Sequence, residues 1–129
     1  MSPGALGKVY HDGEVIVRQG DVGDALFVIQ EGRLEILSER QGKELRIRIA
    51  GKDELVGEMA VFEREVRSAT VRALGEARVL TLDRKNFLRR INEDPSLAFR
   101  MVETMSRRVR ELSAEIVRLK AALGERGVE

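Results

Sequence analysis

Apolar residues fall in short strand-length stretches, several of them alternating with polar ones, through the first two thirds of the chain and at helical spacing through the last third. Val9 to Val17 reads as extended structure broken at Asp12-Gly13, with Val15 and Val17 alternating with Glu14, Ile16 and Arg18. Gly20-Asp21-Val22-Gly23-Asp24 is a turn cluster. Leu26 to Gln30 is a continuous apolar run of strand length, as expected of a strand buried on both faces. Gly32 interrupts it and Leu34-Glu35-Ile36 resumes the alternation. After a turn at Gln41-Gly42, Leu45-Arg46-Ile47-Arg48-Ile49 is the cleanest alternating strand, predicting arginines on one face and apolar side chains on the other. Gly51 ends it. Ser68 to Ala73 and Arg78 to Leu82 read as two further strands separated by Gly75-Glu76. Many short strands punctuated by Gly and Asp predict a sandwich or barrel.

The period then changes. Asp83 is placed to cap a short helix carrying Phe87, Leu88 and Ile91. Glu93-Asp94-Pro95 is a break and restart, with Asp94 as N-cap and Pro95 at the first helical position. A long helix is expected to run to about Leu123, where Gly124 and Gly127 stop it. Ala98, Val102, Met105, Val109, Leu112, Ile116, Leu119 and Leu123 recur in alternating steps of four and three. That is an a/d heptad seam. The first two turns, around Phe99 and Met101, are expected to pack on the helix's own strands. From Met105 onward the narrow seam suits a partner helix, which predicts a homodimer through Met105, Val109, Leu112, Ile116, Leu119 and Leu123.

Composition narrows the possible chemistry. A chain of 129 residues is long enough for one proper core. Its 23 basic and 22 acidic side chains nearly cancel, so no global field draws nucleic acid. Interleaved Glu103, Glu111 and Glu115 likewise make the arginines of the long helix a solvated face. With no cysteine there is no disulfide, thiolate-bound zinc or iron–sulfur cluster, and a reducing cytoplasm fits. No apolar run reaches the length of a membrane span, and residues 1–8 lack the apolar core of a signal peptide. His11 is the only histidine, too few for a cupin-type metal enzyme or a hydrolytic triad. The chain is therefore read as a non-enzyme without a metal.

The chemistry concentrates in Leu55 to Val71, LVGEMAVFEREVRSATV. The run from Glu58 to Phe62 is long enough for one helical turn, whose first N–H groups have no partner within the turn. Gly57 before it allows close approach of a ligand, and such a terminus favours an anion. Arg67 adds a planar guanidinium suited to phosphate oxygens, and Ser68 a hydroxyl beside it. Glu58 would repel a bare phosphate, so its presence points to a ligand that also carries hydroxyls, as a ribose does. The pattern fits a nucleotide with one phosphate and little free charge. The bland alternative is a tight turn with a surface ion pair between Glu58 and Arg67.

The stretch resembles the phosphate-binding cassette of cyclic-nucleotide-binding domains, F-G-E-x-A-L-x, a short loop, then P-R-S/T/A-A-T-V. Gly57, Glu58, Ala60, Val61, Arg67, Ser68, Ala69, Thr70 and Val71 match. Val56 replaces an aromatic and Val66 a frequent proline, and neither change removes a polar ligand contact. The opening strands match as well, from Gly13-Glu14-Val15-Ile16 through Gly20-Asp21 and Gly23-Asp24 to Leu26-Phe27.

The resemblance implies a jelly-roll β-roll followed by a short helix and a long one. Residues 1–95 would form the roll with the cassette at 55–71, residues 96–123 the lid and dimerisation helix, and 124–129 a tail. It implies cyclic AMP as ligand, with cyclic GMP as the alternative. Glu58 would hold the ribose hydroxyl and Arg67 the cyclic phosphate. Ser68, Ala69, Gly57 and the N–H groups of Met59 and Ala60 would complete the cradle. Ile47 and Ile49 would wall the purine. Arg108 and Leu112 fall at lid positions, with Arg108 in reach of Glu58. No helix-turn-helix follows the long helix, so the output is expected in an effector protein or a longer parent. The competing readings are a ligand-independent dimerisation module of the same fold and a fragment of a transcription factor.

Overall fold

The computed structural model describes residues 6–58 and 65–124. They fall into two compact units that meet in sequence between Arg90 and Ile91. The first is mainly antiparallel β-sheet: β1 (Lys8–Tyr10), β2 (Val15–Val17), β3 (Val22–Gly23), β4 (Leu26–Arg40), β5 (Lys43–Ala50), β6 (Leu55–Val56), β7 (Glu65–Val66) and β8 (Thr70–Leu82). Helix α1 (Arg84–Glu93) follows and crosses the boundary, and α2 (Ser96–Ala122) makes up most of the second unit.

Two long strands form the spine of the jelly roll. β4 and β8 pair along most of their length, from Leu26 opposite Leu82 to Leu37 opposite Thr70. The free side of β8 takes β1 and β2, and the free side of β4 takes β5 and β6. β3 and β7 make a separate two-stranded ribbon, Val22 opposite Val66 and Gly23 opposite Glu65. The core is Phe27, Ile29, Leu34, Ile36, Val56, Val71, Ala73, Ala77 and Val79, with Val17 and Ala50. Alternation on paired strands explains this set, since Phe27, Ile29, Ala77 and Val79 enter from one half of the spine and Leu34, Ile36, Val71 and Ala73 from the other.

The breaks expected at Gly32 and at Gly75-Glu76 do not end strands. Each of β4 and β8 runs through, and the register between them shifts at Ile29/Glu31 and Glu31/Arg33. Gly32 has φ +82°, and a Cβ there would lie 2.3 Å from the Glu76 carbonyl oxygen. The glycines thus mark where two paired strands bend together, a β-bulge rather than a turn.

The cleanest alternating strand also departs from its pattern. Between Ile36 and Leu37 the register moves one residue on β4 but two on β5, leaving Ile47 as the extra residue. The bulge separates the arginines expected on one face. Arg46 pairs with Leu37, on Glu35's face, and bonds Glu35, while Arg48 stands opposite Ile36 and bonds Glu54. Leu45 and Ile47 are more than half exposed.

Helix α1 begins as its cap predicts, whereas the cap of α2 falls one residue later than expected, on Pro95 instead of Asp94. The Asp83 carboxylate accepts the Asn86 N–H at 2.8 Å, and the Asp94 carboxylate accepts the Ser96 N–H at 3.1 Å. Pro95 takes the cap position of α2 rather than its first turn, and Gly124 (φ +74°) follows the helix end. Met101 is buried, whereas Phe99 is exposed. Among the described residues no helix is long and apolar enough to cross a membrane.

Candidate functional site

The site is built around Arg67, and its backbone is fixed first. The Arg67 N–H donates to the Asp21 carbonyl at 2.7 Å, and the Gly20 N–H donates to the Arg67 carbonyl at 2.9 Å. The turn cluster read at 20–24 is therefore half of the site's frame. A second tie lies three residues on, where the Gln19 N–H donates to the hydroxyl of buried Thr70 at 3.0 Å. Thr70, a match to the cassette, is scaffold in this structure.

The ribbon of β3 and β7 carries Gly23 beside the guanidinium. Nη2 of Arg67 donates to the Ala25 carbonyl at 2.8 Å. Cζ stands 5.6 Å from the centroid of the Phe27 ring, within the range over which a cation feels an aromatic face. On the other flank lies Gly57 (φ +77°), brought there because Val56 pairs with Phe27. A Cβ at Gly57 would fall 2.9 Å from Nη1, so no side chain fits there without displacing the guanidinium. The φ alone also disfavours other residues. Burial lowers the Arg67 pKa from its ordinary value and the charge of Asp24 opposes that shift. A half-buried guanidinium held by a backbone carbonyl has the charge and planar donors that suit an anion.

Glu58, next to Gly57, is half-buried in a turn, Ser68 is exposed, and Ala69 packs against the core. The structure thus brings Gly57 against the Arg67 guanidinium, with Glu58, Ser68 and Ala69 adjoining them in sequence. Met59 and Ala60, and the helical turn expected from Glu58 to Phe62, lie outside the described residues apart from Glu58. Ile47 and Ile49 are on β5 and exposed. Arg108, half-buried, and Leu112, exposed, lie on α2 in the second unit. Gly23, Ala25 and Phe27 were not singled out as site residues from the sequence. The repeat Gly20-Asp21-Val22-Gly23-Asp24 was the available signal, since two glycines in one short turn mark backbone that something approaches closely.

A second polar assembly lies on Glu35's face of the sheet. Glu35 is buried and receives Nε of Arg72 at 2.9 Å and Nε of Arg46 at 3.1 Å. Arg72 also forks onto Glu44, at 3.0 and 3.3 Å. The hydrogen bond from Arg72 is the main cause that holds the Glu35 carboxyl below its ordinary pKa, and Arg46 adds to it against the cost of burial. The network ties β5, β4 and β8 across the sheet. Among the described residues no three His, Cys, Asp or Glu side chains are grouped to hold a metal ion.

The model of the cyclic nucleotide-binding domain matches residues 7–94, and the chain belongs to that family. It is similar to a cyclic AMP receptor protein of Thermus thermophilus, 31% identical over 84% of this chain and 51% of that protein. A cAMP-dependent protein kinase regulatory subunit of Blastocladiella emersonii is 37% identical over 62% of this chain and 20% of its own length. The crystal structure of a Thermus thermophilus catabolite activator protein superposes with a TM-score of 0.76 at 31% identity, covering 88% of this chain and 54% of that one. The chain therefore spans about half the length of the receptor protein it matches, and far less of the kinase subunit.

Proposed function

We propose that the chain is the ligand-sensing part of a cyclic-nucleotide signalling protein, with cyclic AMP as its ligand, acting by binding and not by catalysis. The observation that supports this is the setting of Arg67, a guanidinium oriented by the Ala25 carbonyl, flanked by two glycines and partly withdrawn from water. A cyclic phosphate carries one charge shared by its two exocyclic oxygens, which suits a single fixed guanidinium. Glu58 beside it takes the ribose hydroxyl, Ser68 and the N–H groups of Met59 and Ala60 complete the cradle, and Ile47 and Ile49 wall the base. Arg108 and Leu112 of the long helix serve as lid. Similarity to a cyclic AMP receptor and to a cAMP-dependent regulatory subunit supports cyclic AMP, and similarity to cGMP-dependent protein kinases of Caenorhabditis keeps cyclic GMP as the alternative. The reading places the protein in the cytoplasm, where such a messenger is made and read, with its output passed to an effector protein.

The test is calorimetric titration of the parent and Arg67→Ala with cyclic AMP and cyclic GMP. A charge-assisted phosphate contact is worth about 1.5–3 kcal/mol, so Arg67→Ala should bind roughly ten- to more than a hundredfold more weakly. Circular dichroism should show an unchanged fold. Parent-like affinity in Arg67→Ala would remove the arginine from the site, and tighter binding of cyclic GMP by the parent would reverse the choice of ligand.

A further inference from the structure

We propose that Gly23 is a positioning residue for the anion site, acting through Arg67: the absence of a side chain on β3 is what lets the guanidinium lie where it does. The inference rests on the reading of Arg67 as the phosphate ligand. The backbone of Gly23 is not in the left-handed region that reserves a position for glycine, so conformation gives no reason for glycine there. The reason is spatial. A Cβ built at Gly23 would stand 2.7 Å from Nη2, 3.1 Å from Nε and 3.3 Å from Cζ of Arg67. The three nearest atoms thus all belong to one guanidinium, and none belongs to backbone.

An added methyl group and the observed guanidinium cannot share this space. The backbone of Arg67 is pinned on both sides, by the Asp21 carbonyl and the Gly20 N–H, so it does not yield. The guanidinium is the far end of a flexible side chain and swings away. In doing so it gives up the hydrogen bond to Ala25 and its place over Phe27. Arginine is costly to immobilise, and the free protein already bears that cost when the side chain is held. Gly23→Ala releases it, so binding must order the side chain again or do without it. Gly57 flanks the same guanidinium but combines this role with a positive φ, and its substitution would not separate the two effects. Gly23 does separate them.

The experiment is a double-mutant cycle of Gly23→Ala and Arg67→Ala, read by titration with cyclic AMP. It is accompanied by the thermal midpoint of each variant and the NMR resonance of the Arg67 Nε–H. Gly23→Ala should keep the parent's thermal midpoint and lose about tenfold in affinity, or ~1.4 kcal/mol. In the Arg67→Ala background the same change should have no effect. The Nε–H resonance, which the Phe27 ring shifts in the parent, should move towards that of a free arginine. Equal losses in both backgrounds, unchanged affinity in Gly23→Ala, or a variant that fails to fold would each overturn the proposal, because each means that something other than the guanidinium meets the methyl group. If the parent binds no cyclic nucleotide, the ligand reading falls. The resonance then decides the role of Gly23 alone: a shift upholds it, and an unmoved signal sinks it.

Discussion

Arg67 is fixed by its main chain before its side chain is aimed, and this ordering explains which residues around it were legible in advance. Arg67, Gly57 and Glu58 stand out in sequence because their chemistry is unusual for a β-rich surface. Ala25 contributes only a carbonyl and Phe27 reads as ordinary core, so residue type gave no sign of either. Thr70, a match to the cassette that was not read as a ligand contact, accepts from the Gln19 N–H and belongs to the frame. Glu58 carries the prediction that belongs at this scale. As a ribose acceptor it pairs with a hydroxyl that offsets its repulsion of the phosphate. The 2′-deoxy analogue should then bind the parent more weakly by about 1–3 kcal/mol, and Glu58→Gln should narrow that gap. Competitive titration with both ligands measures it, and equal binding by the parent would take Glu58 out of the site.

At the scale of elements, the strands were placed by period and punctuation, but their lengths were not. A glycine inside an alternating pattern marks either a turn or a bulge, and only the partner strand decides between them. Gly32 and Gly75 belong to bends because β4 and β8 are paired on both sides of them. Ile47 is invisible for the same reason, since the perfect alternation from Leu45 to Ile49 conceals a residue without a partner of its own. The bulge has an energetic purpose: it sends Arg46 to Glu35, so that a buried carboxylate receives two guanidinium groups. The folded pKa of Glu35 lies below its ordinary value of 4.5. The carboxylate therefore adds stability that is fully present above about pH 4.5 and is lost as pH falls through the folded value. Thermal midpoints taken from pH 7 to pH 3 should fall for the parent in that acid range. Glu35→Gln should start lower at neutral pH and fall less steeply. Parallel curves would mean that other carboxylates set the acid limb.

At the scale of the whole molecule, the long helix was the most legible part, because a heptad pattern needs no partner to be recognised. Val109, Leu112, Ile116, Leu119 and Leu123 are between half and four-fifths exposed, so the seam is uncovered in the single chain. We read it as the homodimer surface. Replacing Ile116 and Leu119 by glutamate should give a monomer, because like charges would then face each other in a desolvated seam. Sedimentation with and without cyclic AMP, paired with a binding isotherm, checks this. Where ligand and dimer favour one another the coupling is reciprocal, about five- to 150-fold, and a monomer with unchanged affinity would leave the helix a passive handle. The sheet sets a constraint of another kind, one of time. Among the described strands β1 and β2 are made before the rest, yet their partner β8 is made after the rest, with Lys8 opposite Val79 and Val15 opposite Arg72. Until Leu82 has emerged, the opening strands have no edge to join, and β4 lacks the neighbour that covers most of its length. Such distant pairing makes closure slow. During synthesis β4 and β5 can pair as soon as both are made, and the segment that carries Arg67 can join the opening turn before β8 is complete, while β1 and β2 wait for it.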